Sequence, residues 1–165
     1  KKQTGVDIIG ASEKEIKKKL DELGVAYKGE NRERLLDTLW KHCRKTIAGP
    51  VFLIGHPKIV APLSKSNPQT PDKTEMFQPI IAGSEVGRGY SELNDPLDQR
   101  ARFEEQKKLL AAGDEEAMMP DEEFVEMLEY GMPPACGFGF GERLFAILEN
   151  KSVRECQLFP LMRPK

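Results

Sequence analysis

No apolar run in this sequence approaches the roughly 20 residues that a membrane-crossing helix requires. Its first residues also lack the basic, apolar and small-residue pattern of a secretory signal. A cytoplasmic location is expected. Cysteine is scarce: Cys43, Cys136 and Cys156 are an odd number at unrelated spacings. They supply neither a CxxC zinc pair nor a disulfide framework, which fits a reducing compartment. Neither sign of charge dominates, with 25 Lys and Arg against 27 Asp and Glu. A global basic field for nucleic acid is therefore missing, although a local patch is compatible with this balance. Aromatic residues make up 7% of the chain, too few to suggest a stacking platform for single strands. The histidines suggest no nucleophile site: His42 lies in a Lys/Arg-rich helix, and His56 has no evident acid or cysteine partner in the sequence. The first residue is Lys1 rather than Met, as in a fragment.

What is present suits one domain, or part of a larger one. The 165 residues are 39% apolar and 32% charged, enough to bury a core without staples. Ser12-Glu13-Lys14-Glu15 reads as a capping box, followed by Ile16, Leu20 and Leu23 at helical spacing and by Gly24 as a stop. A second helix is predicted after Asn31, with Leu35, Leu36, Leu39, Trp40 and Cys43 on one side, broken by Gly49-Pro50. Residues 1–50 thus read as a small helical lobe. Val51 to Ile54 reads as a short buried strand, and 62–75 as a polar, proline-containing loop. Residues 76–82 and 84–91 flank Gly83 as a hairpin or two neighbouring strands. Asp95-Pro96 starts a helix that ends at Gly113, and another runs from about Asp121 to Tyr130. A glycine-rich strand, a helix over about 141–149 and an extended tail, 156–161, complete the chain. Strands and helices come in blocks, which favours an α+β fold with an antiparallel sheet flanked by helices.

Two stretches could carry chemistry. GFGFGERLF (137–145) is not a Walker loop, because no Gly-Lys-Ser/Thr follows, and its G-x-G-x-G spacing is wrong for a dinucleotide fingerprint. Alternation in a strand puts Gly137, Gly139 and Gly141 on one face and Phe138 and Phe140 on the other. The phenylalanines can bury into a core. The glycine face stays flat, so a planar ligand could lie on it, with the Arg143 guanidinium in reach of a phosphate. The bland reading is a strand packed closely under a helix, with Arg143 in an ordinary ion pair. In GSEVGRGYSELND (83–95), simple alternation groups Glu85, Gly87, Gly89 and Ser91 on one face and Arg88, Tyr90 and Glu92 on the other, unless a bulge at the glycines re-aims them. Carboxylates here could hold Mg2+ with a triphosphate, or could simply be a solvated strand face.

Taken together, SELNDPLDQRARFEEQ (91–106), AGDEEAMMPDEEFVEMLEYGMPP (112–134), GFGFGERL (137–144) and VRECQLFPLMRP (153–164) resemble the C-terminal half of the class II lysyl-tRNA synthetase catalytic domain. The resemblance runs from about Gly5 to the end, so residues 1–165 would be one portion of that domain, with 51–165 holding its sheet and motif 3. GFGFGER alone marks only a class II synthetase; the SELND and LFPLMRP segments point to the lysyl branch, with aspartyl and asparaginyl enzymes as relatives. The resemblance implies a lysine–tRNA ligase that activates lysine with ATP and Mg2+ and transfers it to tRNA(Lys), working as a homodimer. It implies that Arg143 contacts the ATP γ-phosphate and that the strand with Gly139 and Gly141 lies under adenine. Glu85 would bind Mg2+ and ATP. Tyr90 would line the lysine pocket, and Glu92 would receive the ε-ammonium, where a desolvated carboxylate discriminates against neutral analogues.

The chain departs from that pattern at three points. Gln78 stands where many members have a second metal-binding Glu; its amide oxygen can ligate Mg2+ but adds no charge. Arg88 stands where the family has a lysine-contacting Asn, and would repel ammonium groups unless it turns away or binds the substrate carboxylate. The segment between Pro134 and Arg143 is one residue shorter than in bacterial enzymes. Motifs 1 and 2 and the anticodon-binding barrel are expected outside these residues, so this stretch alone would bind ATP weakly at best. The competing expectations are a non-catalytic synthetase-like binding module and a ligase that lysylates protein rather than tRNA.

Overall fold

A computed structural model describes residues 4–28, 31–114 and 117–159. The first lobe is a pair of helices, α1 (Glu13–Glu22) and α2 (Arg32–Arg44). Ser12 caps α1 with the full reciprocal box to Glu15, and Asn31 caps α2 through Arg34 N–H. Both helices are amphipathic and meet through Ile16, Leu20, Leu35, Leu36 and Leu39, with Ala11 closing the cluster. Each such side chain contributes roughly 1.5–3 kcal/mol on burial, so this lobe has a core of its own.

The rest is built on an antiparallel sheet formed by β1 (Val51–Ile54), β4 (Met76–Ile81), β5 (Ser84–Glu85), β6 (Gly87–Ser91) and β7 (Cys136–Phe140), in the order β1-β4-β6-β7 with β5 also on β4. Helices α3 (Pro96–Ala111), α4 (Glu122–Glu129) and α5 (Glu142–Leu148) complete it. Asp95 caps α3 with proline in its first turn, and Asp121 caps α4. The α3 and α4 pair packs Phe103 against Phe124, with ring centroids 6.5 Å apart.

Three expectations are corrected. Residues 62–75 are not all loop: β2 (Ser66–Asn67) and β3 (Thr70–Thr74) pair there, because the Asn67 side chain accepts from Gln69 and Thr70 N–H and closes a tight turn. β1 is not a buried strand but a sheet edge, with Phe52 67% and Ile54 71% exposed. Phe138 and Phe140 are not in a core either. They are 55% and 68% exposed, in a row of rings with Phe52 and Phe77 on a sheet face that the described residues leave largely open. Of the extended tail, Cys156 closes a short 3-10 segment (Val153–Cys156), and residues 160–165 lie outside the described residues.

The lobe is tied to the sheet at the β4–β5 turn. Gly83, at φ +69°, has Arg44 O and Lys45 Cα within 3.1 Å of where a Cβ would sit. Its N–H donates to Ile47 O and its carbonyl accepts from Arg44 Nη1 at 2.9 Å. At the other end of the lobe, Asp114 after α3 accepts from Asn31 and Arg34. Beside that contact sits Glu33, whose Oε1 is buried without a hydrogen-bond partner. Burial, then the Asp114 carboxylate, pushes its pKa up to about 7, with Arg34 and Arg32 opposing and Glu105 adding. The folded value lies above the ordinary 4.5, so stability is fully present below that ordinary value and is lost as pH rises toward about 7. Solvent screening of the half-exposed side chain limits the effect to the order of 1 kcal/mol. Glu33→Gln should therefore raise the urea midpoint at about pH 8 and leave it unchanged at about pH 4. Equal midpoints for variant and parent at both pH values would refute this assignment.

Candidate active site

The site begins with a bulge. β4 pairs β5 in the register Ile80↔Glu85, but pairs β6 in the register Met76↔Tyr90. The two registers differ by one residue, so one residue on the β5–β6 side is extra. Val86 lies between the two ladders, 3% exposed, with its N–H on Pro79 O and its carbonyl accepting Gly141 N–H. The consequence corrects simple alternation. Glu85 does not share a face with Gly87 and Gly89; it joins Gln78, Arg88 and Tyr90 on the side opposite the phenylalanine row.

Gly87 and Gly89 face the aromatic side. A Cβ on Gly89 would fall 2.5 Å from the Phe77 ring, and one on Gly87 3.2 Å from the Phe138 ring. These glycines make room for rings rather than for a ligand. The open strand is β7. Nothing lies within 4 Å of a Cβ placed on Gly139 or Gly141, and one on Gly137 would approach Glu92 Oε1 at 3.6 Å. Gly139 pairs with Arg88 in the ladder, and the chain continues through Gly141 into α5 and Arg143.

Gln78, Glu85, Arg88, Gly139, Gly141 and Arg143 together line one cleft of about 640 Å³. A second cavity, of about 1030 Å³ between α2 and the sheet, shares Gln78, Glu85 and Arg88 with it. Tyr90 and Glu92 lie further along the same chain and line neither cavity. They are mutually close: burial first and the Glu92 carboxylate second push the Tyr90 phenol up, while Arg88 opposes.

Glu85 is held by groups that sequence reasoning missed. Its Oε1 accepts from the Trp40 indole N–H at 2.5 Å, with Arg44 Nε at 3.9 Å, and its Oε2 accepts from Gln78 Nε2 at 3.3 Å. Gln78 Oε1 in turn lies 2.8 Å from His56 Nε2, and His56 Nδ1 lies 3.3 Å from Met76 O. Trp40 and Arg44 are four residues apart on α2, hence on one face, but nothing in that spacing names a carboxylate 41 or more residues away. The available signal was weak: a lone tryptophan whose N–H needs a partner when partly buried.

For Mg2+, these contacts divide the candidates. Glu85 presents an ionisable carboxylate at the cleft and fits a single cation shared with phosphate oxygens. Gln78 does not fit as a ligand, because its carbonyl faces His56 and its amide N–H2 faces Glu85.

An antiparallel sheet whose glycine strand leads into an arginine-bearing helix, with the β5 carboxylate in the same cleft, is a fold of the class II synthetase kind. The chain belongs to that family: residues 7–163 match the model for class II tRNA synthetases (D, K and N). Among curated relatives it is 44% identical to a lysine–tRNA ligase of a Thermotoga species, over 100% of this chain and 33% of that protein. It is 43% identical to that of Porphyromonas gingivalis, over 98% and 29%, and 42% identical to that of Thermosipho africanus, over 99% and 33%. The chain therefore spans about a third of the length of the relatives it matches. Among the described residues, no helix is long and apolar enough to cross a membrane.

Proposed function

We propose that this chain contributes the motif 3 side of a lysine–tRNA ligase site, in a cytoplasmic protein that activates lysine with ATP and passes it to tRNA(Lys). The observation that carries the reading is the bulge-aligned cleft, which brings the open glycine strand, Glu85 and Arg143 together. Adenine lies on the backbone of Gly139 and Gly141, where no side chain intrudes. Arg143 neutralises the phosphate end while the lysine carboxylate attacks the α-phosphorus and pyrophosphate leaves. When bound, Mg2+ would supply further charge neutralisation on the phosphates beside Glu85. Tyr90 and Glu92 form the amino-acid end, with Glu92 receiving the ε-ammonium. The work is positioning and electrostatics, with no protein nucleophile. A homodimer is part of the same reading.

The test is amino-acid-dependent ATP–pyrophosphate exchange by the full-length protein. Exchange with lysine is expected. Exchange with asparagine or aspartate instead would sink the lysyl assignment, and no exchange with any amino acid would favour a non-catalytic binding module.

A further inference from the structure

Two guanidiniums, Arg88 and Arg143, line the same cleft. Both are exposed, and among the described residues neither makes a hydrogen bond or an ion pair. Arg88 stands opposite Gly139, the open position of β7. The acidic side of the cleft is different. Both oxygens of Glu85 already accept hydrogen bonds, from Trp40 and Gln78, and Arg44 lies beside it. Glu142 accepts from Gln157. Gln78 offers no charge. The uncommitted donors of the cleft are therefore two forked guanidiniums, the chemistry that binds phosphate oxygens in pairs.

We propose that Arg88 is a second polyphosphate-binding residue, acting with Arg143, and that it supplies charge neutralisation that a divalent cation would otherwise have to bring. This rests on the reading of the cleft as the ATP phosphate site. It also gives Arg88 a task that keeps its charge off the amino-acid ammonium groups: an arginine engaged with a triphosphate is neutralised by it.

The probe is inorganic tripolyphosphate, titrated calorimetrically into the full-length protein, first in EDTA and then in Mg2+. Wild-type protein should bind in EDTA. Arg88→Asn should weaken that binding about tenfold, the worth of one charge-assisted contact, and the deficit should narrow when Mg2+ is added. Arg88→Lys should keep most of the affinity, and an unchanged melting temperature would show that the fold around Glu85 is kept. If Arg143→Ala loses binding but Arg88→Asn stays within about twofold of wild type in EDTA, the proposal fails and the ATP reading stands. If Arg88→Asn instead loses affinity only for lysine, its anion is the amino-acid carboxylate and the proposal is equally overturned. A wild-type protein that binds no tripolyphosphate in either condition overturns both. Equal losses for Arg88→Lys and Arg88→Asn would assign the effect to packing and also end the proposal.

Discussion

Replacing Arg143 with alanine is expected to lower lysine-dependent pyrophosphate exchange by about 100- to 1,000-fold, the cost of removing one preorganised charge from a developing anion. The side chain is exposed and, among the described residues, has no hydrogen-bond or ion-pair partner. Its removal should therefore leave the melting temperature within the small range of ordinary surface substitutions. The combination is diagnostic: a large loss of turnover with no loss of fold places the arginine at the reacting phosphates. Arg143→Lys should recover only part of the rate, because an ammonium cannot fork across two oxygens. A variant that keeps full exchange would remove Arg143 from the mechanism.

The largest expected effect on stability is at Arg102, on α3. Its side chain is 4% exposed. Nε and Nη2 donate to the two oxygens of Asp98 at 3.0 and 2.8 Å, Nη1 to Ala61 O and Ser64 O, and Nη2 to Ser66 Oγ. One guanidinium thus satisfies the chain over 61–66, which has little regular structure to satisfy itself. Arg102→Ala leaves Asp98 with Lys58 as its remaining cation and strands the buried Ser64 carbonyl, a loss of about 3 kcal/mol. That is a large share of the roughly 5–15 kcal/mol that holds a domain folded. Urea unfolding should show a midpoint far below wild type, or no cooperative transition. Asp98, held below its ordinary pKa chiefly by the Arg102 hydrogen bond and then by Lys58, adds the pH signature. Its contribution is present above the ordinary carboxylate value and is lost as pH falls through the lowered one. A midpoint within about 1 kcal/mol of wild type for Arg102→Ala would refute the assigned role.

Local signals were the legible ones. Ser12, Asn31, Asp95 and Asp121 each start the helix expected of them, because a cap needs only the residues next to it. The strands around Gly83 and the glycine strand before Arg143 were legible for the same reason. What escaped depends on contacts across the chain. Whether Phe138 is buried is decided by what lies over its side of the sheet, not by its alternation with glycine. Trp40 was readable as a core residue of α2, yet its N–H reaches Glu85, 45 residues on. His56, just after β1, found its partner Gln78 on β4, where no sequence spacing announces it. The face occupied by Glu85 depends on one unpaired residue, and alternation cannot reveal where a strand stops alternating.

That residue, Val86, makes the chemistry of this strand a matter of parity. Even and odd positions exchange sides across it, so Glu85 and Arg88 can look the same way although three residues separate them. The extra residue is what sets Glu85 beside Arg88: at this length an unbroken pleat would send Glu85 among the phenylalanine rings and leave Arg88 and Arg143 facing a floor without a carboxylate. Only the loss of one residue here would let a regular ladder keep both on the same side. Substitutions can be absorbed as long as a buried side chain still fills the place and the bulge is kept.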